Sequence, residues 1–108
     1  MINGQRVHEG AMRRAEALAK LREILPAVRG RYGVKELSVF GSIARDEATT
    51  ASDIDVLVDF DGLPTLLGFM GLKLYLQDAL GMRVDLATRA ALKPRMRQRI
   101  EEDALRVA

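Results

Sequence analysis

Apolar residues recur along this 108-residue chain with two different periods, and the change from one to the other marks out its elements. From about Ala11 the positions Ala15, Leu18, Leu21, Leu25 and Val28, joined by Ile24, return at helical spacing, while Arg13, Arg14, Lys20, Arg22 and Arg29 take the outer face. This predicts an amphipathic helix that ends at Tyr32-Gly33. Pro26 lies inside it; proline removes a backbone donor and clashes with the preceding turn, so it is expected to kink the helix or open a short second one. Glu36 to Phe40 then reads as a strand, Ser42 to about Glu47 as a short helix, and Ala48 to Ser52 as a polar loop of small residues. In Ile54 to Phe60, the alternating residues Ile54, Val56, Val58 and Phe60 share one face and Leu57 adds an apolar position on the other. A run apolar on both faces predicts a central strand covered on both sides.

Leu66 to Leu80 is the most apolar segment, bounded by Gly81, which is the usual kind of helix stop. Eight large side chains, Leu66, Leu67, Phe69, Met70, Leu72, Leu74, Leu76 and Leu80, exceed what one face of a helix can bury in a chain this short. Part of that surface is therefore expected to face another protein chain, and homo-oligomerisation is one form this can take. Met82 to Ala87 predicts a third strand, with Val84 and Leu86 facing one way and Asp85 the other. After Thr88 the pattern returns to helix, with a break near Pro94 and then Met96, Ile100, Ala104 and Leu105 at helical spacing. Strands alternating with helices predict an α/β fold, a small mixed sheet with flanking helices.

The length allows one domain, residues 1–108, with 1–9 irregular and the sole histidine, His8, incidental to any chemistry. No cysteine is present, which excludes disulfides and thiolate metal sites. The N-terminal residues lack the apolar core of a signal peptide and no apolar run approaches a membrane span, so a soluble cytoplasmic protein without membrane partners is expected. The net charge of +2 conceals a segregation: residues 1–35 carry eight basic and three acidic side chains, 36–62 one and seven, and 63–108 eight and five. Acidic residues gather in the middle, and the basic flanks suit a polyanion such as a nucleoside triphosphate. Nucleic acid is a weaker candidate, because aromatic residues are few and no nucleic-acid-binding motif is visible.

The acidic middle holds the candidate chemistry. The strand from Leu37 stops at Gly41-Ser42, and the next strand begins only after Asp53 and Asp55. Two residues apart in extended backbone, these carboxylates lie on one face, roughly 6.5 to 7 Å apart along the chain. Such a pair calls for a cation, and hard oxygen ligands suit Mg²⁺, which completes its shell with water and substrate phosphate. Gly41 permits close approach of a ligand, and Ser42 offers a hydroxyl beside unpaired backbone N–H groups fit for phosphate. Asp59 and Asp61 repeat the same spacing but lack the preceding glycine-serine turn, and they read as a solvated strand end leading into the turn at Gly62 to Pro64.

The residues G-S-I-A-R-D-E followed by S-D-I-D resemble the signature of the minimal nucleotidyltransferases, the smallest branch of the DNA polymerase beta-like superfamily. Gly41, Ser42, Ala44, Arg45, Glu47, Ser52, Asp53, Ile54 and Asp55 fall into the pattern. Asp46 departs from it, standing where the family usually has glycine; aspartate tolerates a left-handed backbone, so the turn is expected to survive. The resemblance implies a polymerase beta-like nucleotidyltransferase fold and makes Asp85, in its V-D-L setting, the third acidic residue; read without it, Asp85 is a surface aspartate paired with Arg83 or Arg89. It implies nucleotidyl transfer from ATP with two Mg²⁺ ions, Asp53, Asp55 and Asp85 serving as catalytic and metal-binding residues, and Gly41, Ser42 and Arg45 contacting the nucleotide. Arg45 has a second reading, tying the short helix to Asp53 or Glu47. Members of this family are commonly paired with a helical HEPN toxin, an RNase, and some transfer AMP to a tyrosine of that toxin. By that resemblance the chain is expected to be an antitoxin acting by adenylylation. The alternatives are an antitoxin that neutralises by binding alone, a transferase with a small-molecule acceptor, and a nucleic-acid-binding module.

Overall fold

The computed structural model describes residues 11–107. The expectations for residues 1–9 and for His8 lie outside the described residues.

Helix α1 spans Arg14–Tyr32 and buries Ala17, Leu21, Leu25 and Val28, a stripe at three- and four-residue spacing. It runs unbroken through Pro26, so the second helix that proline was expected to open does not form. Pro26 and Arg22, four residues earlier, are both exposed, so the carbonyl that loses its intrahelical donor can turn to water. The helix has no capping side chain at its own N-cap, Arg13. Asp46 supplies the cap from elsewhere in the chain, its Oδ1 accepting the Arg14 N–H at 3.0 Å.

Strand β1 (Val34–Phe40) leads into the one-turn helix α2 (Gly41–Ala44), and strand β2 (Ile54–Phe60) follows the polar loop. Helix α3 (Leu66–Leu80) connects to strand β3 (Val84–Thr88); a 3₁₀ turn at Arg89–Ala91, helix α4 (Pro94–Asp103) and the two-residue strand β4 (Leu105–Arg106) complete the described chain. The sheet order is β3-β2-β1-β4, with β2 parallel to β3 and β1 antiparallel to both β2 and β4. The expected small mixed sheet with flanking helices is what forms, and β2 is internal, as its apolar run predicted. Strand β4 departs from the expectation that helix continues through Leu105. Helix α4 gives way at Ala104, whose backbone is extended, because Val107 is drawn fully inside. The Val107 N–H donates to the Leu37 carbonyl at 2.9 Å, and its own carbonyl accepts from Arg22 Nε at 2.5 Å.

One sheet face carries Leu37, Val39, Ile54, Val56, Val58, Val84 and Leu86, which join the buried stripes of α1 and α3 in the main core. Each fully buried aliphatic there contributes about 1.5 to 3 kcal/mol. Helices α1 and α3 meet closely because position 71 is glycine: a Cβ on Gly71 would stand 3.1 Å from the Tyr32 ring. Tyr32 in turn packs edge-on against Tyr75, with ring centroids 5.9 Å apart. Only Leu72, Leu76 and Leu80 of α3 are buried. Leu66 is 76% exposed, Leu67 85% and Leu74 59%, and Leu63 just before the helix is 99% exposed. The surplus of apolar surface anticipated for this helix is therefore present as an open stripe. Among the described residues no helix is long and apolar enough to cross a membrane.

Candidate active site

The opposite sheet face is only partly covered, and there the strand register assembles the acidic residues. Phe40 pairs with Asp55 across β1 and β2, and Asp55 pairs with Asp85 across β2 and β3. Paired neighbours on adjacent strands carry their side chains on the same face about 4.5 to 5.5 Å apart, so Phe40, Asp55 and Asp85 form a row across three strands. Asp53, two residues before Asp55, stands at the entrance to β2.

Asp55 is the electrostatic centre of the row. Its pKa is raised from 3.8 to about 6, first by burial and then by the negative charges of Asp85 and Asp53, with Arg45 working in the opposite direction. A carboxylate driven to keep its proton by burial and by two like-charged neighbours is a position where a cation gains most. The donor set, all hard carboxylate oxygens, fits Mg²⁺. The three carboxylates are not equally gathered. Asp55 and Asp85 are neighbours in the register of β2 and β3, whereas Asp53 is engaged by Arg83, with Nε and Oδ1 3.3 Å apart. Among the described residues no three acidic or imidazole side chains close on one point as they stand.

Gly41 sits against this centre. Its φ is +74°, and a Cβ there would collide with the Asp55 carboxylate at Oδ2, so no other residue fits the turn without displacing the acid. The sequence argued for glycine as a place where a ligand approaches; the structure adds that the protein's own Asp55 approaches it too. In the one-turn helix α2 the first N–H groups lack intrahelical partners. Among the described residues the Ser42 hydroxyl has no hydrogen-bond partner either. The left-handed turn expected at Asp46 is present, with φ at 60°. Its carboxylate points to the start of α1, where it serves as the cap described above.

Arg45 ties the loop as its second reading expected, though with one partner in common. Its Nε donates to Glu47 Oε1 at 2.9 Å, and its Nη1 donates to Asp103 Oδ2 at 2.6 Å rather than to Asp53. These two bonds raise the Arg45 pKa further above its ordinary value. Asp59 and Asp61 stand away from the row at the far end of β2, where Asp59 pairs with Glu36 and Asp61 is exposed. The sequence gives no sign of Asp103, which lies 58 residues from Arg45 and reaches it only because α4 folds back, and Arg83, readable as a partner of Asp85, instead holds Asp53.

Each end of the row opens into a cleft. At the Asp85 end a polar cleft of about 310 Å³ is lined by Asp53, Lys73, Gln77, Arg83, Val84 and Asp85. Beyond Phe40, a more apolar cleft of about 240 Å³ lies between Gly41, Arg45 and helix α4.

The profile of the nucleotidyltransferase domain family matches residues 21–107 of this chain. The protein adenylyltransferase MntA of Thermococcus cleftensis is 48% identical over 80 residues, covering 70% of this chain and 81% of that protein. A solved structure described as a minimal nucleotidyltransferase superposes with a TM-score of 0.74 at 40% identity, covering 88% of this chain and 96% of the other. A tri-AMPylated HEPN toxin of Shewanella oneidensis in complex with its MNT antitoxin gives a TM-score of 0.65 at 18% identity, covering 88% and 71%, a likeness of fold.

Proposed function

Because the chain belongs to the nucleotidyltransferase domain family, we propose that it transfers AMP from ATP to a hydroxyl, a tyrosine in the first instance, of a HEPN-type toxin partner and so acts as its antitoxin. The observation that carries this reading is the row Asp55–Asp85 with Gly41 packed against it, since two adjoining carboxylates beside a phosphate-sized turn suit transfer of a phosphorus centre and little else. The T. cleftensis relative, named a protein adenylyltransferase, and the S. oneidensis antitoxin, bound to an AMPylated HEPN toxin, support the choice of reaction and acceptor.

The reaction joins the acceptor oxygen to the α-phosphorus while the bond to the β-phosphate oxygen breaks and pyrophosphate leaves. Asp53, Asp55 and Asp85 would hold Mg²⁺, which when bound supplies positive charge to the phosphate oxygens and lowers the cost of an ionised hydroxyl. Asp85, at the edge of the polar cleft, takes the acceptor's proton. Ser42 and the free N–H groups of α2 hold the β- and γ-phosphates. Arg45, fixed by Glu47 and Asp103, places its charge beside the leaving pyrophosphate. Release of Asp53 from Arg83 lets the third carboxylate join the other two. The open stripe on α3 favours a second reading, neutralisation of the toxin by binding alone.

Mass spectrometry of the partner separates the two. Incubation with ATP and Mg²⁺ should add AMP to the partner, and Asp55→Asn or EDTA should remove the addition. An unmodified partner whose RNase activity is nonetheless suppressed establishes binding as the function.

A further inference from the structure

We propose that the cleft beyond Phe40 is the subsite for the nucleobase of the triphosphate, with the ring lying against Phe40, Met96 and Ile100 beside the Arg99 guanidinium. This rests on the reading of the carboxylate row as a nucleotidyl-transfer site.

Three observations carry it. The first is position: Phe40 is the cross-strand neighbour of Asp55, and Gly41 and Arg45 line the same cleft, so a nucleotide whose phosphates lie at the Gly41-Ser42 turn has this cleft within reach of its base. The second is contrast between the two ends of the row. At the Asp85 end Lys73, Gln77 and Arg83 suit an incoming hydroxyl, and a planar ring would find little apolar surface there. The Phe40 end offers an aromatic ring and two aliphatic side chains.

The third is the composition of α4. No residue of this helix is buried. Its apolar side chains Met96 and Ile100, four residues apart on one face, both line the cleft, and Met96 is 51% exposed. Apolar positions on a charged helix ordinarily serve the core; these two are left for a ligand. Arg99 strengthens the case. Arg45 is committed to Glu47 and Asp103, whereas among the described residues Arg99 has no hydrogen-bond or ion-pair partner. A free guanidinium at an apolar cleft is well suited to stack on a base. The cleft volume of about 240 Å³ leaves room for a planar ring system.

The test is calorimetry with two probes, Mg·ATP and Mg·tripolyphosphate, on the wild-type protein, Met96→Asp, Ile100→Ala, Arg99→Ala and Asp55→Asn, with circular dichroism confirming equal helical content. Loss of a stacking contact is expected to weaken ATP about tenfold in each cleft variant. Tripolyphosphate, which has no base, should bind all three as it binds the wild type, and Asp55→Asn should weaken both probes. Equal loss of both probes in the cleft variants, or no loss of either, overturns the subsite while the phosphate site stands. Should the wild-type protein bind neither probe, the transfer-site reading fails and takes the subsite with it.

Discussion

Replacing Asp55 with asparagine should stabilise the metal-free protein at neutral pH, although it removes the centre of the proposed site. In the folded state the Asp55 pKa is raised from 3.8 to about 6 by burial and by the charges of Asp85 and Asp53. Ionisation therefore costs the folded state more than the unfolded chain: there is no cost below about pH 4, an increasing cost between about 4 and 6, and the full cost above about 6. A displacement of roughly two pH units corresponds to about 3 kcal/mol. Asp55 is only partly covered, and discounting for solvent screening brings this to about 1 to 1.5 kcal/mol. For a chain of this size that is a rise of about 5 to 10 °C in Tm. Thermal melts of wild type and Asp55→Asn in EDTA at pH 7.5 and pH 4.5 check it: the variant should melt higher at pH 7.5, and the gap should narrow to about a third at pH 4.5. A variant that melts lower at pH 7.5, or a gap that ignores pH, refutes the account of crowded charge. Adding Mg²⁺ at pH 7.5 should raise the wild-type Tm and leave that of Asp55→Asn nearly unchanged.

Gly41→Ala forces a Cβ into the Asp55 carboxylate at a φ of +74° and should cost about 1 to 3 kcal/mol in urea unfolding, together with ATP binding. Asp46→Gly removes the acceptor for the Arg14 N–H and also the left-handed strain of a non-glycine residue. These effects, each about 1 kcal/mol, nearly cancel, so a small change in Tm with unaltered ATP affinity is expected. On the open face of α3, Leu67→Asp with Leu74→Asp should alter stability by less than about 1 kcal/mol while weakening association with the partner chain in analytical ultracentrifugation. Unimpaired association would locate the interface elsewhere.

The legible parts of this molecule were those set by local pattern. Strand β2 and helix α3 begin and end where the sequence placed them, because polar loops and Gly81 bound them and their periods are unambiguous. The Asp53–Asp55 spacing and the glycine-serine turn were visible for the same reason, and Asp85 stood out through the family resemblance. Its position beside Asp55 depends on the parallel register of β2 and β3, which no local pattern encodes. Long-range pairings were illegible. Strand β4 is two residues long and exists because the edge of β1 and the burial of Val107 hold it there. Asp103 meets Arg45 only after α4 returns, and Arg83 chose Asp53 over Asp85. Pro26 opens no second helix, since its penalty falls on the exposed side of α1, where water limits the cost.

The central claim is adenylyl transfer, and the position of the label in ATP tests it most directly. The protein, its HEPN-type partner and Mg²⁺ are incubated in parallel with ATP labelled at the α-phosphate and ATP labelled at the γ-phosphate, and the partner is then isolated under denaturing conditions. Label from the α-phosphate should stay on the partner, be absent with Asp85→Asn, and appear together with an equal amount of released pyrophosphate. Label carried from the γ-phosphate, or from neither, contradicts adenylyl transfer.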